Sequence, residues 1–232
     1  MNMLKDWTMF EKVWIAVFAA TNVYLFFAWQ DSLLGLVTSI TGMFCVVLAA
    51  KGRISTYYFG IIQTATYAYI SYGYGLYGET MLNALFYFPV QFIGIYLWNK
   101  HKSHRMNGKG AEVEMKGLTR RGWLYVTISF TLVFVFYSFL LKGIGGSSIW
   151  IDSATTILSI VAQVLMLQRY KEQWLFWILV NVLSILLWLT TLITQGGNDV
   201  LMLVMWSAFL INSIYGYINW TKVYKKQIGR AA

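Results

Sequence analysis

Apolar positions along this chain come in long unbroken runs. They show neither the strict alternation of a strand nor the one-sided stripe of a soluble helix. A helix that crosses a bilayer needs about 20 mostly apolar residues. Eight segments of the 232-residue chain meet or approach that length: 10–29, 33–50, 57–77, 81–98, 122–141, 153–168, 174–193 and 200–220. Polar residues collect between them. The joins are short, apart from a loop of 23 residues at 99–121. No stretch remains for a separate soluble domain. The first run opens on Glu11 and Lys12 and has no small-residue cleavage site after it, so it reads as a retained helix rather than a signal peptide.

Composition agrees with the pattern. The chain is 58% hydrophobic and 12% charged, with a mean hydropathy of +0.57, against about 45–50% and about 25% in soluble domains. A soluble enzyme and a disordered chain are excluded. The lone Cys45 excludes a disulfide framework. Outer-membrane barrels alternate apolar and polar residues in strands of about ten, and that alternation is missing. The fold class is an all-α polytopic membrane protein.

The charges carry the topology. Eight spans put both termini on one side. Seventeen of the eighteen Lys and Arg then fall on that side, and only Lys142 falls on the other. Positive residues mark the cytoplasmic side, so both termini are expected in the cytoplasm. The net charge of +9 is thereby explained without a nucleic-acid partner; anionic lipid headgroups are its natural neighbours.

An internal repeat is visible. Gly94, Trp98 and Lys100 recur as Gly216, Trp220 and Lys222 at an offset of 122. Asp31-Ser32 recurs as Asp152-Ser153 at 121, and Gly60-Ile61-Ile62-Gln63 resembles Ile178-Leu179-Val180-Asn181 at 118. The expected architecture is two parallel three-helix repeats joined by a linker helix, plus one extra N-terminal helix. Its segments are the extra helix (1–30), the first repeat (31–99), a basic loop with the linker helix (100–151), the second repeat (152–221) and a cytoplasmic tail (222–232). Parallel repeats of this kind place a substrate site near the midplane.

The spans hold no ionisable residue at depth. Every Asp, Glu, Lys, Arg and His is assigned to a loop or a helix end. His101 and His104 have no Cys or acidic partner beside them, so no metal site is expected. With no nucleophile–base pair at depth, an enzyme is not expected either. Passive transport fits better than coupling through a buried carboxylate; sodium held by backbone carbonyls stays open. What the interior does hold is amides and aromatic rings. Gln63 and Asn181 are expected to match across the repeat, as are Gln91 and Asn212. A buried amide must be paired, and two from each half could meet one ligand. Trp174 and Trp177 lie nearly on one helical face, with Asn181 four residues beyond Trp177. Tyr87, Trp206 and Tyr215 stand near those amides in sequence. Such a site suits a flat cationic ring carrying a sugar, and does not suit a phosphate. Trp7, Trp98, Trp123, Trp150 and Trp220 read as interfacial anchors. Pro89 must kink the fourth span or act as its hinge.

Trp174-Leu175-Phe176-Trp177 followed by Asn181, with the Gly-x-x-x-Trp endings after Gln91 and Asn212, resembles the PnuC family of bacterial vitamin transporters. The resemblance spans about residues 31–222. It implies a SWEET-like fold and facilitated diffusion of nicotinamide riboside across the bacterial inner membrane for NAD synthesis. Phosphorylation in the cytoplasm would trap the substrate. It also implies homo-oligomers, trimers among them, and no cofactor. Trp174, Trp177 and Asn181 carry the family motif; Gln63, Gln91, Asn212, Tyr87, Trp206 and Tyr215 come from repeat symmetry and proximity. Two alternatives stand beside it: a facilitator for thiamine or a sugar, and a non-transporting membrane receptor or subunit.

Overall fold

The computed structural model describes residues 7–102, 113–143, 149–195 and 200–229. His104 and the side chain of Asp152 lie outside the described residues. Among the described residues there are eight helical rods: α1 (Met9–Ala28), α2 (Leu33–Ala50), α3 (Thr56–Gly73), a composite fourth rod, α6 (Arg120–Gly143), α7 (Ile149–Leu167), α8 (Gln173–Gln195) and α9 (Val200–Ile228). The fourth rod is α4 (Tyr77–Met81), a π-helical turn (Leu82–Tyr87) and α5 (Phe88–Lys100). Pro89 explains the break. Its ring crowds the carbonyl four residues back and it donates no hydrogen bond, so the turn before it widens.

Six rods are long and apolar enough to cross a membrane by length and composition: Met9–Ala28, Leu33–Ala50, Tyr77–Lys100, Arg120–Phe139, Gln173–Thr194 and Val200–Ile228. The apolar part of α7, Ser153–Leu167, is shorter. α3 is less apolar because much of it faces inward: Thr56, Gln63, Thr64, Tyr67 and Ser71 are all buried.

Six helices close a ring. α2 packs on α3, α3 on α5, α5 on α7, α7 on α8, α8 on α9, and α9 returns to α2. α1 lies outside against α2 and α9, and α6 lies outside against α7. The ring is therefore α2–α3–α5 joined to α7–α8–α9, with α6 as linker and α1 as the extra helix.

Local backbone repeats the symmetry. α2 ends on Gly52 at φ 67° and α7 ends on Arg169 at φ 65°. Gly52 N–H donates to Ala49 O and Arg53 N–H to Leu48 O; Arg169 N–H donates to Met166 O and Tyr170 N–H to Leu165 O. These are matching left-handed helix ends, displaced by 117 residues. Glycine adopts that conformation freely; Arg169 is held there by burial and by its Nε–H bond to Glu114 O at 3.0 Å. Burial pulls the Arg169 guanidinium below its usual range, and the Glu114 charge opposes that.

One end of the ring is knotted by aromatic residues. Trp98 Nε1 donates to Met166 O at 3.2 Å, and Trp220 Nε1 donates to Ala49 O at 3.0 Å. The last helix of each unit thus bonds the first helix of the other. Both indoles are fully buried. They are not the interfacial anchors expected from sequence, because each has a buried carbonyl to satisfy it. Trp123 and Trp150 are exposed as expected. Acidic groups also sit deeper than expected. Glu11 is buried, caps α1 by a reciprocal box with Thr8, pairs with Lys51 at 2.5 Å and accepts from Tyr215 Oη at 2.9 Å. Asp31 is buried and accepts from Leu201 N–H at 2.9 Å, capping α9.

Candidate functional site

The ring encloses a cavity of about 90 Å³. Each of its six rods contributes. α2 gives Cys45, Val46 and Ala49; α3 gives Gln63 and Thr64; the fourth rod gives Asn83, Tyr87 and Gln91. α7 gives Gln163 and Met166; α8 gives Trp174, Trp177 and Asn181; α9 gives Trp206, Phe209 and Ser213. None of these side chains is charged.

Seven of the nine residues expected from sequence meet here: Gln63, Tyr87, Gln91, Trp174, Trp177, Asn181 and Trp206. Asn212 and Tyr215 do not line it. Asn212 Nδ2 donates to Val46 O at 2.9 Å and holds α9 on α2. Tyr215 Oη donates to Glu11 and holds α1 on α9. The reason is register. An offset of 122 pairs Gln91 with Ser213, not Asn212, and Tyr87 with Phe209. One residue turns a helix by about 100°, so Ser213 faces in and Asn212 faces α2. In the first two helices of each unit the offset is 117. It pairs Val46 with Gln163, Ala49 with Met166, and Thr64 with Asn181, and all six line the cavity. The expected Gln63–Asn181 match is one residue out for the same reason.

Asn83 and Gln163 complete the amides around the cavity. Their signal in sequence is the cost of an unpaired amide inside an apolar run. Thr64 and Ser213 carry no such signal, since hydroxyls satisfy themselves on their own helix. Thr64 Oγ1 donates to Gly60 O at 2.8 Å and Ser213 Oγ to Phe209 O at 2.8 Å. Ser213 Oγ also accepts from Asn181 Nδ2 at 2.7 Å, which orients that amide.

Glycines set the walls. A Cβ on Gly94 would lie 2.1 Å from Tyr57 Cε1, and one on Gly216 would lie 2.7 Å from the Trp174 indole. Each repeat glycine thus seats an aromatic ring from the middle helix of its own unit. Trp174 stacks edge-on against Trp220 at 6.1 Å, and Tyr57 against Trp98 at 5.0 Å.

At the other end of the cavity Trp206 belongs to a second cluster. Tyr67 is fully buried, and its hydroxyl accepts from Trp188 Nε1 at 2.7 Å and from Trp206 Nε1 at 3.2 Å. This ties α3 to α8 and α9. No group of three or more His, Cys, Asp or Glu able to hold a metal is found among the described residues.

Comparison with known proteins agrees with this geometry. The family described as "Nicotinamide mononucleotide transporter" matches residues 32–222. The nicotinamide riboside transporter PnuC of Neisseria mucosa is 44% identical over 97% of this chain and 85% of its own length. Its namesake from Haemophilus influenzae is 41% identical over 96% of this chain and 94% of its own. A crystal structure described as the vitamin B3 transporter PnuC superposes with a TM-score of 0.87 at 44% identity, covering 95% of this chain and 94% of that one. A ring of six helices around an uncharged cavity, in a chain matched nearly end to end, makes this protein a multi-pass membrane transporter of the nicotinamide mononucleotide transporter family.

Proposed function

We infer that this protein carries nicotinamide riboside across the bacterial inner membrane by facilitated diffusion. Phosphorylation of the riboside in the cytoplasm keeps the flow inward. Both termini face the cytoplasm, as the distribution of Lys and Arg supports. The two units at 31–99 and 152–221 move against each other about the cavity. Homo-oligomers, trimers among them, belong to the same reading and rest on family resemblance.

One observation carries the choice of substrate: among the described residues, no charged side chain lines the cavity. The family's description speaks of the mononucleotide, while the relatives are named for the riboside. A phosphate dianion buried without Arg or Lys would lose its hydration with nothing to replace it. A riboside lacks that group. Its positive ring is served by the faces of Trp174, Trp177, Trp206 and Tyr87, and its hydroxyls and carboxamide by Gln63, Gln91 and Asn181. Asn83 and Gln163 extend the amide set.

Uptake of labelled riboside into proteoliposomes tests this reading. Uptake is expected to persist when proton and sodium gradients are dissipated, and to resist excess thiamine. Loss of uptake on dissipation contradicts facilitated diffusion. Thiamine uptake without riboside uptake contradicts the substrate.

A further inference from the structure

Tyr67 does not line the cavity but lies one layer beyond it. It follows Gln63 and Thr64 on α3 by four and three residues, so it continues their face by one helical turn. Trp206 lies one turn before Phe209 on α9, and both line the cavity. Tyr67 and Trp188 are fully buried, and Trp206 is buried. Tyr67 and Phe209 both pack edge-on against the Trp206 indole, with ring centroids at 5.7 and 5.4 Å. Those contacts fix where the ring sits. The hydrogen bond fixes which way it points, since Trp206 Nε1 donates to Tyr67 Oη at 3.2 Å. An indole has that one polar group, and here a hydroxyl outside the cavity takes it. Trp188 Nε1 donates to the same oxygen at 2.7 Å, so both lone pairs of the hydroxyl are in use. Trp174 differs. Its Nε1 is buried with no hydrogen-bond partner among the described residues, although the ring lines the same cavity. The two indoles therefore offer a ligand different things: Trp174 an N–H donor, Trp206 its ring carbons alone.

We propose that Tyr67 is the positioning residue that sets Trp206 for the substrate. By taking the indole N–H, a hydroxyl of the first unit holds a cavity wall of the second in one orientation. This rests on the riboside reading above and deepens it, because affinity for the riboside then depends on a residue outside the cavity. Without the Tyr67 hydroxyl, the buried N–H of Trp206 must find another acceptor. The acceptors the cavity offers are the amide oxygens that the ligand needs.

The test is a double-mutant cycle. Kd for nicotinamide riboside is measured by calorimetry on the unmutated protein, Tyr67→Phe, Trp206→Phe and the double variant, each shown to be monodisperse. Each single change is expected to raise Kd about ten-fold (about 1.4 kcal/mol). The double variant is expected to lie within about two-fold of Trp206→Phe alone, because a phenyl ring has no N–H for the hydroxyl to hold. Trp188→Phe removes the other bond to the same hydroxyl but lies outside the cavity. It is expected to lower the melting temperature and leave Kd within about two-fold. Should Tyr67→Phe not fold, the cycle is run in the Trp188→Phe background, where only one indole loses its partner. Losses that multiply in the double variant, an unchanged Kd in Tyr67→Phe, or an equal loss in Trp188→Phe each overturn the proposal and leave the riboside reading standing. Failure of the unmutated protein to bind the riboside overturns both.

Discussion

Gln91 occupies the space that a side chain at Gly60 would need: a Cβ there would lie 2.4 Å from Gln91 Oε1. The glycine sits in the interior of α3, where alanine would favour the helix by about 1 kcal/mol. The clash falls on the far end of a flexible side chain, so the amide moves rather than the helix. Gly60→Ala is therefore expected to leave the melting temperature in detergent unchanged or raised, and to weaken riboside binding about ten-fold. Unchanged affinity would show that Gln91 does not need its present position.

Trp177 and Asn181 lie one turn apart on α8 and both line the cavity. Trp177→Ala removes a ring face, and Asn181→Ala removes an amide already oriented by Ser213. Each is expected to raise Kd about ten-fold or more. Calorimetry on folded, monodisperse protein checks this. Intact affinity in both variants would remove the proposed site.

Asn212 and Tyr215 point away from the cavity, to Val46 and Glu11. Tyr215→Phe removes one hydrogen bond to a charged group, worth about 1.5–3 kcal/mol. It is expected to lower thermal stability and leave riboside affinity within about two-fold. A large loss of affinity with stability intact would place Tyr215 in the site.

Gly94 and Gly216 seat Tyr57 and Trp174. Alanine at either position overpacks the core, at a cost of about 1–3 kcal/mol. The two variants should differ in binding. Gly216→Ala displaces Trp174, which lines the cavity, and Gly94→Ala displaces Tyr57, which does not. Affinity is expected to fall further in the first. Equal losses in folded proteins would argue against a role for Trp174.

Much of this was legible in the amino-acid chain. The bilayer leaves few choices for a backbone that must satisfy itself, so eight runs became eight helical rods. The recurrence of Gly94 and Trp98 as Gly216 and Trp220 was also legible, because a ring seated on a glycine admits no other residue. Their purpose was not. Trp98 and Trp220 at span ends look like anchors until the partner carbonyls of Met166 and Ala49 are seen. Register was the other limit. The loops make the offset drift between 117 and 122, and an error of one residue exchanges Ser213 for Asn212.

The central claim is that an uncharged cavity selects the riboside over its phosphorylated form. Titration calorimetry of the purified protein with nicotinamide riboside and nicotinamide mononucleotide, under one buffer, tests it most directly. The riboside is expected to bind about a hundred-fold or more tighter than the mononucleotide (about 2.7 kcal/mol). Equal or tighter binding of the mononucleotide would contradict the account.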